Sequence, residues 1–297
     1  MRALNLLAEL FSILAPVVAI AAVGFFWTKL SRPFDTEFIS TLTFNIATPC
    51  LVFASLTKLK LDPQAVGEVA AAALVATFVL GILGALLLKL LRIPLRPYLA
   101  PVLSPNTGNV GLPVCYLAFG DAGLALAVVV HGVTALIQFT VGVGITAGNL
   151  SFRDAARVPL LYALLAALLV DVSGVAVPPW IANTAALIGQ LAIPLMLIAL
   201  GASLTRLRVG QFKRSSLLAG VRLGLGFVTA VGAAAVFGLD RAQAGVLILQ
   251  MSMPAAVFSY LLAVRYHADA EGVAGVVFLS TIVGFAVMPL ILLYVLQ

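Results

Sequence analysis

The chain alternates between long apolar segments and short polar connections. A transmembrane helix needs about 20 mostly apolar residues, and ten segments meet that length. We number the predicted transmembrane helices TM1 to TM10, at residues 10–29, 38–57, 67–90, 98–119, 122–147, 157–177, 182–204, 214–237, 242–265 and 271–296. A transmembrane β-strand would show about ten residues of alternating polarity, whereas these segments are unbroken. The pattern predicts an all-α polytopic membrane protein.

The composition agrees with this pattern. Hydrophobic residues make up 63% of the chain and charged residues 9%, against about 25% charged residues in an ordinary soluble domain. In water, so apolar a chain would expose more hydrophobic surface than soluble monomers tolerate. The predicted solvent is therefore a lipid bilayer. Cys50 and Cys115 both lie in apolar segments, and two such cysteines do not indicate a disulfide framework.

The distribution of Lys and Arg predicts the orientation. The connections after TM1, TM3, TM5, TM7 and TM9 hold 12 of the 17 basic residues, namely Lys29, Arg32, Lys89, Arg92, Arg96, Arg153, Arg157, Arg206, Arg208, Lys213, Arg214 and Arg265. The other side holds Arg2, Lys58, Lys60 and Arg241. Because cytoplasmic loops are enriched in basic residues, we expect a multi-pass protein of the cell (inner) membrane with both termini extracytoplasmic. This bias explains the basic composition, and no nucleic-acid partner is expected.

The second half of the chain repeats rare features of the first. In TM2 and TM7 an amide residue precedes a proline by four positions, at Asn45–Pro49 and Gln190–Pro194. Both helices then end in Ser-Leu-Thr-basic-Leu-basic, at 55–60 and 203–208. These matches involve polar and proline positions, which are uncommon in apolar helices. They indicate an internal repeat.

A second correspondence joins TM4 and TM9. Each contains a polar, proline-bearing interruption, at 106–113 and 250–254. We expect two halves of five helices, 1–149 and 150–297. Because five is odd, the second half crosses the membrane in the opposite sense, as in many secondary transporters.

The interruptions predict a binding site. Proline removes a backbone donor and clashes with the preceding turn, and freed backbone groups are tolerated only where they are buried in protein or line a cavity. Each broken helix presents a positively polarised N-terminus, which attracts anions. The predicted substrate-binding residues, rich in amides and hydroxyls, are Asn106, Thr107, Asn109, Pro113, Gln250, Ser252, Pro254 and Asn45.

These motifs resemble a known family. Pro-Asn-Thr at 105–107 with Gly-Leu-Pro at 111–113 is similar to the TM4 crossover of the auxin efflux carrier family, which includes plant PIN-type auxin carriers and bacterial malonate and malate permeases. Further similarities, partly to the bacterial branch, lie at 250–254, 263–266, 45–53 and 195–204.

The resemblance implies a fold like that of the sodium/bile-acid symporters, in which TM4 and TM9 cross. TM3–TM5 and TM8–TM10 would form a mobile transport domain, and TM1, TM2, TM6 and TM7 a scaffold through which the protein could form a homodimer. It implies elevator-type alternating access. The chain lacks the long loop that plant members carry after TM5, and Ser259 stands where they have a second proline. A small carboxylate or dicarboxylate is therefore favoured over auxin.

Three polar residues within predicted spans have alternative interpretations. Intramembrane ionisable residues are functional candidates. His131 in TM5, with Gln138 two turns later, either couples transport to protons or is a neutral ring bonded to a backbone carbonyl. Arg222 in TM8 either attracts the substrate anion, replaces a coupling cation, or extends to the interface.

Other functional classes are less compatible with the sequence. In the main alternative, a sodium- or proton-coupled symporter or antiporter, the crossover would bind a cation; TM5 lacks the acidic residue typical of antiporters. An intramembrane metalloprotease would need His-Glu-x-x-His, but His131 and His267 are the only histidines. We expect a transporter rather than an enzyme, with no cofactor and no metal site.

Overall fold

The structure, a computed structural model, describes residues 2–59, 62–148, 158–207 and 211–296. Within these ranges the chain forms eleven helices: α1 (Arg2–Lys29), α2 (Thr36–Lys58), α3 (Pro63–Leu90), α4 (Leu95–Leu103), α5 (Thr107–Ala147), α6 (Pro159–Ser173), α7 (Pro179–Leu204), α8 (Phe212–Phe237), α9 (Arg241–Met251), α10 (Val257–Arg265) and α11 (Ala270–Leu296). Four basic residues used for the predicted orientation, Lys60, Arg153, Arg157 and Arg208, lie outside the described residues.

Seven of these helices are long and apolar enough to cross a bilayer, namely α2, α3, α5, α7, α8, α11 and the part of α1 from Ala8 onward. The shorter α6 is also apolar. The predicted class, a polytopic helical membrane protein, is confirmed.

Carboxylates begin several helices. The side chains of Asp35 and Asp62 accept hydrogen bonds from the first turns of α2 and α3. Asp240 and Gln243 form a reciprocal capping box at the start of α9. These contacts satisfy N–H groups that a helix cannot pair internally.

Two interruptions divide the helices that the sequence predicts to be broken. The backbone is non-helical at 104–106, between α4 and α5, and at 252–256, between α9 and α10. A further change of direction occurs within α5 at Gly120, whose φ of 65° and ψ of −156° are accessible essentially only to glycine.

The first interruption is shorter and earlier than predicted from 106–113. Helix resumes at once in a π-turn, Thr107–Gly111, and Pro113 is the second residue of the α-helical segment that follows it. In this π-turn the N–H groups of Gly111 and Leu112 donate to the carbonyl oxygens of Asn106 and Thr107. Pro113, which has no N–H to pair, lies in the first turn of the α-helical segment that follows, where proline is tolerated. The second interruption begins later than predicted from 250–254, because α9 extends to Met251.

The helices pack mainly within two groups. In one, α1 contacts α7, and α2 contacts α6 and α7. In the other, α8 contacts α3, α9 and α11, and α5 contacts α9.

Glycines allow the backbones of α1 and α7 to touch. A Cβ atom at Gly201 would lie 1.8 Å from the carbonyl oxygen of Ala21, and one at Gly24 would lie 2.0 Å from that of Ile198. Such close backbone contact is typical of membrane helices.

Candidate functional site

The two interruptions meet in the protein interior. The N–H of Asn106 donates to the carbonyl oxygen of Pro254 at 2.7 Å, and the N–H of Ala256 donates to that of Ser104 at 2.9 Å. These bonds form one antiparallel bridge between the linkers. Each interruption therefore supplies hydrogen-bond partners for backbone groups that are left unpaired where the other helix breaks. These bonds stabilise the broken helices in an environment away from water.

Two helix N-termini begin at this crossing. In α5, the side-chain oxygen of Asn106 accepts a hydrogen bond from the N–H of Asn109 at 3.3 Å. The N–H groups of Thr107 and Gly108, at the start of the helix, have no acceptor within it. In α10, which starts at Val257, no side chain caps the helix. Each N-terminus carries a partial positive charge of about half a unit, and together they favour an anion.

Unpaired polar atoms concentrate at the same place. Nine buried side-chain nitrogen or oxygen atoms have no hydrogen-bond partner among the described residues. Six of them belong to the crossing and its surroundings: Ser104 Oγ, Asn106 Nδ2, His131 Nε2, Gln250 Oε1, Ser252 Oγ and Ser259 Oγ. An unpaired buried polar group costs about 1–3 kcal/mol, so such a cluster points to a site completed by ligand or water.

His131 is held against the start of α5. Its Nδ1 atom lies 2.8 Å from the Thr107 hydroxyl, which is 3.1 Å from the Thr134 hydroxyl. A Cβ atom at Gly108 would lie 3.1 Å from the His131 ring. The ring therefore packs against the N-terminus of α5 and contacts the Thr107 hydroxyl, which in turn contacts the Thr134 hydroxyl. This contact with a hydroxyl replaces the bond to a backbone carbonyl that was considered from the sequence.

Gln250 joins α9 to both parts of α5. Its Nε2 atom donates to the carbonyl oxygen of Ala127 at 3.3 Å. Its Oε1 atom lies so close to Gly111 that a Cβ atom there would be 2.1 Å away. Gly111 thus leaves the space that the buried amide occupies.

Arg222 is fully buried within α8, so its side chain does not extend to the interface. Its guanidinium donates to three carbonyl oxygens at the crossing: Nη1 to Val102 at 2.6 Å, Nε to Met253 at 3.3 Å, and Nη2 to Met251. The residue belongs to the crossing.

Two predicted residues lie elsewhere. Asn45 is exposed in a π-turn of α2, Thr43–Ala47, and Gln138 begins a π-turn of α5 with its side chain half-buried. The structure brings together Asn106, Thr107, Asn109, Gln250, Ser252 and Pro254, with Pro113 in the helix that follows.

Sequence reasoning missed four residues of this region. Ser104 accepts at its backbone carbonyl, and Ser259 lies in the first turn of α10. Thr134 extends the His131 network, and the Ser280 hydroxyl of α11 accepts from the N–H of Ala255 at 3.0 Å. Ser104 adjoins the predicted Pro-Asn motif and could have been included; the other three reach the site only through folding.

A cavity of about 930 Å³ lies between α2, α6, α7 and the part of α5 near Asp121. Its polar lining includes Tyr116, Asn183 and Gln190, but none of the predicted substrate-binding residues. At its edge, Lys58 Nζ and Asp121 Oδ2 are 2.7 Å apart. This ion pair links α2 of one helix group to α5 of the other.

A polytopic helical membrane protein with paired helix interruptions around a buried polar site has the form of a transporter. The model of a family described as "Membrane transport protein" matches residues 10–151 and 145–294. The chain belongs to this family, the auxin efflux carrier family.

Two archaeal relatives are similar to the chain. An "uncharacterized transporter" of Methanothermobacter thermautotrophicus is 30% identical over 196 residues, and "uncharacterized transporter MJ1031" of Methanocaldococcus jannaschii is 27% identical over 197 residues. Each alignment covers 62% of this chain and 63% of the relative. The chain thus spans less than two thirds of the length of either protein.

Proposed function

We propose that the chain is a secondary active transporter of a small organic anion, bound where the two interrupted helices cross. The observation that carries the proposal is the pair of helix N-termini, at Thr107 and Val257, beside six unpaired buried polar atoms. Helix N-termini favour negative charge, and the Asn106 amide nitrogen is free to donate to a carboxylate. The substrate we favour is a mono- or dicarboxylate.

The architecture we propose is ten transmembrane helices in two inverted halves, 1–149 and 150–297. In this arrangement TM4 comprises α4 and the first part of α5, TM5 the remainder of α5 after Gly120, and TM9 comprises α9 and α10. Matching distortions in α2 and α7 support the repeat: a π-turn precedes Pro49, and a turn at Leu191 precedes Pro194.

The transport mechanism we propose is elevator-type alternating access. Packing within two groups supports a scaffold of TM1, TM2, TM6 and TM7 and a moving domain of TM3–TM5 and TM8–TM10. The cavity between α2, α6, α7 and α5 lies at the boundary of the two groups, and we propose that it is part of the access route. We further propose an inner-membrane orientation with both termini extracytoplasmic, from the basic residues, and a homodimer formed through the scaffold.

A proton-coupled carrier is the second candidate, because His131 Nε2 is buried without a partner beside the site. In that case uptake would respond to a pH gradient, and His131→Ala would abolish the response while Thr140→Ala, whose hydroxyl bonds within its own helix, would not. An unchanged response in His131→Ala would assign the ring a structural role.

A binding experiment on the purified protein tests the proposed function. Small mono- and dicarboxylates are compared with their neutral amides by thermal shift, since a ligand that binds the folded state stabilises it by an amount that grows with the ratio of ligand concentration to Kd. We expect at least one carboxylate to raise the melting temperature of the wild type and of Gln64→Ala, an exposed amide control, but not of Asn106→Ala. Stabilisation by amides and carboxylates alike, or equal binding by Asn106→Ala, would contradict the proposal.

A further inference from the structure

Two helix C-termini also meet at the crossing, on α4 and α9. The last carbonyls of a helix have no partner within it, and each C-terminus carries about half a negative charge. Together the ends after Leu103 and Met251 amount to about one negative charge inside the protein. In broken-helix transporters such carbonyl groups coordinate Na⁺ or H⁺.

Arg222 supplies the matching positive charge. Its guanidinium donates to Val102, in the last turn of α4, to Met251, the last residue of α9, and to Met253 in the linker that follows. The side chain is 0% exposed, and arginine remains protonated at neutral pH even when buried. The ion pair found within the described ranges, Lys58–Asp121, lies elsewhere. The countercharge of Arg222 is therefore the set of carbonyl dipoles.

The backbone of α8 is shaped for this contact. Gly226 follows Arg222 by one helical turn and lies on the same face. A Cβ atom at Gly226 would be 2.1 Å from the carbonyl oxygen of Met251 and 2.5 Å from Arg222 Nη2. Only glycine at this position lets the end of α9 lie so close to the guanidinium.

We propose that Arg222 is a fixed internal cation in the place where a coupling metal ion would bind, so that the protein neither binds nor requires Na⁺ or K⁺ at the crossing. The carbonyls of Val102, Met251 and Met253 are already occupied. The two helix N-termini at Thr107 and Val257 keep their positive polarity, and only an anion completes the charge balance. The consequence for transport rests on the proposed function. The occupancy of the three carbonyls by Arg222 does not depend on it.

The first test measures the melting temperature of the purified wild type in NaCl, KCl and choline chloride at constant chloride and ionic strength. An ion bound at about 100 times its Kd would raise the melting temperature by a few degrees. We expect the three salts to give the same value. A rise that grows with Na⁺ or K⁺ concentration, is absent in choline chloride and is abolished by Arg222→Lys would place a metal ion at these carbonyls and overturn the proposal.

The second test removes the guanidinium group of Arg222 and supplies free guanidinium ion in solution in its place. We expect Arg222→Ala to melt below the wild type and to recover in millimolar guanidinium, which occupies the vacated carbonyl cage. Arg241→Ala is the matched control, because Arg241 also donates to a carbonyl near a helix end, that of Leu296, but away from the crossing. It should show no recovery. An Arg222→Ala protein as stable as the wild type, or one that guanidinium, Na⁺ and K⁺ all fail to restore, would refute the internal-cation role.

A third comparison applies if Arg222→Ala cannot be purified. Arg222→Lys retains a cation and Arg222→Met retains a similar length without charge, so we expect the lysine variant alone to fold. Folding of the methionine variant alone would contradict the proposal. None of these measurements uses an organic anion, so a protein that passes them but binds no carboxylate would refute the proposed substrate while leaving the role of Arg222 intact.

Discussion

The backbone N–H of Asn106 donates to the carbonyl oxygen of Pro254 at 2.7 Å, joining helix interruptions from opposite halves of the chain. The bond is reciprocated within the same bridge by the N–H of Ala256, which donates to Ser104. Because the linkers satisfy each other, the polar side chains around them remain available for a ligand. The crossing is thus both the place where the two interruptions are hydrogen-bonded together and the candidate binding site.

The contact between Gly111 and Gln250 gives the first prediction. A methyl group at Gly111 would lie 2.1 Å from Gln250 Oε1, and overpacking of this kind costs about 1–3 kcal/mol. We expect Gly111→Ala to lower the melting temperature and to weaken anion binding. Gly224→Ala is the control, since a Cβ atom there meets nothing within 4 Å. Equal behaviour of the two variants would show that the amide is not held at this position.

The hydrogen bond between Thr107 and His131 predicts non-additive mutational effects. The hydroxyl and ring nitrogen are 2.8 Å apart and buried, and groups in direct contact couple by about 0.5–3 kcal/mol. A double-mutant cycle of Thr107→Val and His131→Ala, measured by anion affinity, should show such coupling. The same cycle with Thr140→Val, whose hydroxyl bonds its own helix, should be additive. Additivity in both cycles would mean that His131 does not position Thr107.

The Lys58–Asp121 pair predicts where the two helix groups separate. The charged atoms are 2.7 Å apart and both side chains are exposed, so the pair stabilises the fold by no more than about 1 kcal/mol. In a background without Cys50 and Cys115, Lys58→Cys with Asp121→Cys should be joined by a cleavable thiol cross-linker. We expect cross-linking to stop transport and cleavage of the linker to restore it.

The control for this experiment lies within a single helix. Gln64 and Glu68 are in contact in α3, at 2.8 Å, so a cross-link between cysteines at these two positions restrains no movement between groups. It should leave transport unchanged. Transport that continues with the Lys58–Asp121 positions linked would argue against an elevator movement at this boundary.

The sequence predicted the class, the family and the existence of both helix interruptions, because each follows from local properties. Apolar segment length indicates the bilayer, and the prolines and asparagines near Asn106 and Pro254 disfavour a continuous helix. The predicted extent of the second interruption was wrong because α9 extends to Met251. The predicted extent of the first was wrong because the helix resumes in a π-turn, Thr107–Gly111, before Pro113. Such a turn depends on the packing of neighbouring helices as well as on composition.

The roles of individual side chains depended on tertiary structure. Arg222 could equally have reached the membrane surface, and only the position of α8 against the crossing shows that it is buried. Asn45 has a suitable residue type and motif, yet it is exposed on α2. Periodicity identifies polar residues in a membrane helix, but the partner of each is set by contacts between distant segments.

The most direct test of the central proposal is flux of a radiolabelled carboxylate, chosen by thermal shift, into vesicles containing the purified protein. The loss of one hydrogen bond to a charged ligand costs about 1.5–3 kcal/mol, which corresponds to roughly a tenfold or greater loss of affinity. We predict saturable uptake by the wild type and by Gln64→Ala, and uptake reduced at least about tenfold in Asn106→Ala at subsaturating substrate. Uptake by Asn106→Ala equal to that of the wild type would contradict anion binding at the crossing.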